Sequence, residues 1–244
     1  MLLALFLVDL AAGFYLFLPL VGRRNAGVKF YRLILIVDGA LLACAAGAHA
    51  LAPAPRLAAA DGAAVLLIAF VYFVLRYPKR LVFRVPAALL ALALLVLGVV
   101  SWQSATHSTL AWSIAGALAS IALLGSVNLA MLLGHWYLVV RGMAIDPLKR
   151  LTIATLVAAL VRIAVVIAAF LAVDRASLLA ETLFFLMRAG WGLLGPLLLY
   201  PMVWGTVKIR STMAATGILY VDVVAVIIGE VLAGWLASIA HVPL

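Results

Sequence analysis

The residues best able to do chemistry in this chain are few, and most stand inside apolar runs. His135 lies in MLLGHWYLVV (131–140), between Gly134 and Trp136-Tyr137, with Asn128 seven residues earlier on the same helical face. Asp38 follows Arg32 by six residues, and His135 precedes Arg141 by six. Both therefore fall about 9 Å inside a basic boundary if the segments are helical. An imidazole, a carboxylate and two aromatics near an interface make a candidate quinone or proton site, where histidine and acid exchange the ring's protons. The competing role is structural: His135 bonds Asn128 or a backbone carbonyl, and Trp136 and Tyr137 belong to an aromatic belt.

Three further histidines, His49, His107 and His241, fall near the opposite boundary. Two can hold one haem b and three can hold a metal. His107 is in a loop and His241 is close to the C-terminus, so exposed histidines are the plainer explanation. His135 is alone on its side, which argues against a two-haem cytochrome with histidines matched at two depths.

Charges inside apolar segments are costly and usually face a partner or a wet cavity. Arg162 is twelve residues beyond Arg150, and Asp222 twelve beyond Arg210, which predicts a pair about 18 Å in. Arg188 is twenty residues before Lys208, and Glu230 twenty beyond Arg210, which predicts a second pair at about 30 Å. Each pair either fixes helix packing or belongs to a proton, ion or anion path. Thr216, Tyr220, Val223, Ile227, Glu230, Gly234, Ala237 and His241 form a stripe at alternating spacings of four and three, as for a helix packed along one seam. Gly190, Gly192, Gly195 and Pro196 predict a kink after Arg188, because proline removes a backbone donor. Gly116 with Ser120, and Ala43 with Gly47, are small pairs suited to close helix contact.

Eight elements must position these groups. Of 244 residues, 69% are hydrophobic, far above the roughly half found in water-soluble domains. The mean hydropathy is +1.32. Runs of about 20 apolar residues are long enough to span a bilayer. They fall at 2–22, 33–52, 59–76, 85–103, 110–140, 151–173, 181–206 and 212–240. The expected fold is an all-α polytopic membrane protein forming a single transmembrane domain, 1–244. Paired features (GFYLF with GHWYLV, Asp61 with Glu181, Tyr77-Pro78 with Tyr200-Pro201) are compatible with two parallel four-helix repeats, 1–105 and 106–244. In that case the second half holds more of the intramembrane polar groups.

The net charge of +9 does not point to nucleic acid, since the basic residues lie in short clusters between apolar runs. Arg23, Arg24, Lys29 and Arg32, then Arg76, Lys79, Arg80 and Arg84, then Arg141, Lys149 and Arg150, then Lys208 and Arg210 all fall on one side. The other side holds Arg56 and Arg175. The positive-inside bias places both termini on the outer face, and the short loops suit a bacterial cytoplasmic membrane. The single cysteine, Cys44, excludes an internal disulfide and is expected to be a small packing residue. No phosphate loop, His-Glu-x-x-His pattern or nucleophile elbow is present, and no mid-membrane lysine could carry a retinal Schiff base.

Three functions follow as expectations. The first is a membrane subunit of an electron-transfer complex, with a quinone or single-haem site and other protein subunits as partners. The second is a proton-coupled transporter or channel using the intramembrane Arg, Asp and Glu residues. The third is a structural subunit without a site of its own.

Overall fold

The structure is a computed structural model that describes residues 1–77, 81–140, 142–173 and 181–244. Pro78, Lys79, Arg80, Arg141 and Arg175, used above for charge sorting and the repeat, lie outside the described residues. Eight helices are long and apolar enough to cross a membrane: α1 (Leu2–Val21), α2 (Arg23–Leu51), α3 (Pro55–Val74), α4 (Leu81–Thr106), α5 (Leu110–Val139), α6 (Asp146–Ala172), α7 (Thr182–Lys208) and α8 (Thr212–Ala240). Among the described residues there is no strand. In lipid each backbone donor and acceptor needs a partner within the protein, and a helix supplies it inside one segment. The chain is thus an all-α multi-pass membrane protein.

Four starts come earlier than the sequence expectation, α3 at Pro55 and α4 at Leu81 by four residues each, and two others at charged segments. α2 begins at Arg23, with a break at Gly27, and α6 begins at Asp146, with Pro147 in its first turn. Hydropathy marks where lipid begins, whereas arginine and lysine extend a helix into the interface without breaking it. Cys44 lies on the exposed face of α2 and not in the packing.

α5 is the central helix and packs on α1, α4, α6 and α8. Its small residues allow this. A Cβ added to Gly13 of α1 would lie 2.5 Å from the Cα of Gly125, so the two backbones touch where neither has a side chain. α2 packs on α1, α3 packs on α2 and α4, and α7 lies against α6 and α8. The α4–α5 turn is tied by hydroxyls: Thr106 donates to Ser108 and Ser108 contacts Ser113, each at 2.8 Å. The seam expected on α8 is buried at Thr216, Val223, Glu230, Gly234 and Ala237, while Tyr220 and His241 are exposed.

Candidate functional site

The most concentrated buried charge in the bundle is a three-member cluster on α6, α7 and α8. Arg162 forks onto Glu230, with Nε donating to Oε1 at 3.1 Å and Nη2 to Oε2 at 2.9 Å. Arg188 donates from Nη2 to the same Oε1 at 2.8 Å. All three residues are buried. The expected Arg162–Asp222 pair is therefore replaced by Arg162–Glu230. The cause is the reference point: counted from the helix starts at Asp146 and Thr212, Arg162 lies about 24 Å along α6 and Glu230 about 27 Å along α8, while Asp222 lies only about 15 Å along.

Local structure in α7 presents Arg188. Its helix runs from Thr182 to Met187, widens into a π-helical turn over Arg188–Leu194, and resumes at Gly195 with Pro196 in the first turn. Gly195 N–H bonds the carbonyl of Gly190, five residues back. The kink expected from proline is thus a wide turn that begins at the arginine, a distortion common at functional sites. Gly192 meets Gly229 of α8 beside it. A Cβ on Gly192 would lie 2.5 Å from Gly229 Cα and 2.6 Å from Arg188 Nη1, so only glycine leaves room for the guanidinium.

Sequence reasoning missed the other half of the site. The Arg162 guanidinium carbon lies 5.6 Å from the Trp102 ring centroid on α4, a cation–π contact. Trp102 Nε1 donates to Asp9 Oδ2 of α1 at 2.7 Å. Asp9, Trp102, Ser120 and Glu230 line a cavity of about 420 Å³. Asp9 carried a legible signal, as the one carboxylate in a 20-residue apolar helix. Trp102 carried none beyond its type. The first half thus supplies polar groups to the site, so the second half does not hold them alone.

Asp222 lines a small gap between α6, α7 and α8 with Thr152, Thr155 and Tyr200. It lies eight residues, about 12 Å, before Glu230 on α8. Its Oδ1 has no hydrogen-bond partner, and neither do Asp9 Oδ1, Arg162 Nη1, Arg188 Nε or Arg188 Nη1. Buried and unmet, each such group costs about 1–3 kcal/mol.

The residues expected around a quinone are dispersed. His135 is exposed, with Nδ1 3.5 Å from Tyr220 Oη. Asn128 is buried and donates to Leu124 O at 2.8 Å. Trp136 donates to Ala26 O at 3.2 Å and packs on Phe30, and Tyr137 donates to Ala144 O. Asp38 is buried on α2 without a hydrogen-bond partner. Equal depth did not make neighbours, because α2 packs mainly on α1 and α3 and only marginally on α5. The outer histidines separate too. His49 is buried against Asp61, with Nδ1 2.6 Å from Oδ2. His107 and His241 are adjacent, with ring centroids 6.5 Å apart, and His241 Nδ1 donates to Thr106 O at 2.7 Å. Among the described residues no three His, Cys, Asp or Glu side chains cluster as a metal site.

Because His135 is exposed and weakly held, His135→Ala is expected to change stability by no more than about 0.5 kcal/mol. Thermal unfolding in detergent checks this. Comparison with known proteins finds no matching family model, no matching curated relative and no matching solved structure.

Proposed function

We propose that this chain is a proton-coupled membrane transporter whose path follows the interface of α6, α7 and α8. The observation that carries this reading is the excess of buried charge: two arginines share one carboxylate, with three guanidinium nitrogens unmet. A purely structural pair gains nothing from a second buried cation or from unmet donors. A path uses both, since groups that exchange partners pass protons or ions between sites.

The path has two stations. Asp222 is the first, in a gap it shares with the Thr152 and Thr155 hydroxyls, which donate to backbone carbonyls at 2.9 and 3.0 Å. Glu230 with its arginines is the second, bordering the cavity that Asp9 shares. The π-helical turn at Arg188 gives α7 a place to change register between them. The orientation adopted is that of the basic loops, with both termini on the outer face of a bacterial cytoplasmic membrane.

A proton entering the bundle displaces charge before any solute is known. Wild-type protein adsorbed on a solid-supported membrane is expected to give a transient current after a pH jump. Asp222→Asn is expected to remove at least about nine-tenths of it, because the amide cannot carry the proton. An equal current in Asp222→Asn contradicts the path.

A membrane subunit of an electron-transfer complex is the second reading. It is favoured by a cavity of about 530 Å³ lined by Tyr15, Tyr31, Phe83 and Arg23. Two buried Arg23 nitrogens, Nε and Nη1, have no acceptor and suit a quinone carbonyl. A reduced-minus-oxidised spectrum of gently purified protein, with extracted cofactors analysed, tests it. A haem band or stoichiometric quinone supports it, and neither removes it.

A further inference from the structure

We propose that the cavity bounded by α1, α7 and α8 takes a lipophilic organic cation, which enters from the bilayer and shares Asp9 with the coupling proton. This rests on the transport reading and names the substrate class for it. Among the described residues, the ionisable and hydroxyl groups lining the cavity are Asp9, Glu230 and Ser120, with no lysine or arginine. Both Glu230 oxygens already accept from arginines, so the carboxylate left for a ligand is Asp9, which attracts a cation and repels an anion. Phe6, Trp102, Phe184 and Trp235 supply aromatic walls, whose faces attract cations. Asp9 lines the space, is 1% exposed, and has an Oδ1 without a hydrogen-bond partner.

The entrance decides the lipophilic half of the assignment. Leu3, Phe184, Val231 and Trp235 border the cavity and are 64%, 41%, 52% and 46% exposed on the outward surface of a transmembrane bundle. That surface meets lipid, so the mouth opens sideways between α1 and α8. A volume of about 420 Å³ suits a compact organic molecule.

Charge balance links the solute to the proton. The charged groups facing Asp9 are Arg162 of α6 and Glu230 of α8, while α4 and α5 present Trp102 and Ser120. Arg188 joins them through Glu230. Two arginines and two carboxylates sum to zero, and either one proton on Asp9 or one cation beside it adds a single positive charge. Occupancy by both adds a second charge in low dielectric, so the two compete.

The test is equilibrium binding of tetraphenylphosphonium to the full chain in detergent, across pH, with tetraphenylborate as the anionic control. Expected are saturable binding that weakens as pH falls, preference over tetraphenylborate, and at least roughly tenfold weaker binding in Asp9→Asn, the loss of a buried charge contact. Phe184→Ala and Trp235→Ala, at the mouth, are expected to weaken binding several-fold and keep the test decisive if Asp9→Asn fails to fold. Absent saturable binding, tighter tetraphenylborate binding, or affinity unchanged in the mouth variants overturns the proposal. Saturable, Asp9-dependent binding without any pH-jump current upholds the cation site and removes the transport reading.

Discussion

Glu230→Gln is expected to destabilise the bundle by about 3–5 kcal/mol, the usual cost of removing one partner from a buried ion pair. Here the cost reaches the upper end, because one change strands both Arg162 and Arg188, whose ion pairs among the described residues are both with Glu230. Their remaining neighbours cannot compensate: Trp102 offers Arg162 a ring face, and Arg188 Nη1 abuts Gly192 and Gly229. Replacing Arg162, Arg188 and Glu230 together by methionine is expected to recover most of the loss, since apolar groups of similar volume remove the desolvation cost along with the attraction. Denaturant-induced unfolding of the three forms in detergent (wild type, single variant, triple variant) measures both effects.

Gly13→Ala is expected to cost at least about 1–3 kcal/mol, the range for overpacking a tight interior. The new methyl would overlap Gly125 Cα and N and the carbonyl of Ile121, which are backbone atoms that cannot swing aside. α1 must then move off α5. Asp9, one turn earlier on α1, moves with it and lengthens its 2.7 Å bond from Trp102. Gly47→Ala provides the contrast, because nothing lies within 4 Å of a Cβ placed there. The small pair Ala43 and Gly47 thus makes no close helix contact, and the alanine is expected to be neutral or mildly stabilising in the same unfolding assay.

Period and hydropathy made the eight spans readable, because lipid demands continuous apolar helices and tolerates little else. The partner of Arg162 was unreadable for a different reason. Depth was measured from Arg150 and Arg210, but the helices start at Asp146 and Thr212, and the two offsets together, six residues or about 9 Å, were enough to choose Asp222 over Glu230. Arg188 and Glu230 meet as their depths suggested. Azimuth and helix order are not encoded locally, which is why Asp38 and His135 share a depth and no contact. Asp9 was visible as a lone acid in α1, yet its role depends on Trp102, 93 residues away, and on Arg162 beyond it. The wide turn in α7 was visible as Gly-rich sequence before Pro196, but its π-helical form and the Gly192–Gly229 crossing within it appear only in the tertiary structure.

The central claim is that the Arg162–Glu230–Arg188 cluster moves charge and does not merely hold helices together. Its most direct test compares pH-jump currents of wild type and the triple-methionine variant on solid-supported membranes, with unfolding confirming that both are folded. A folded triple variant with the current abolished is the predicted result. A folded triple variant carrying the wild-type current would contradict the claim and leave the cluster a packing device.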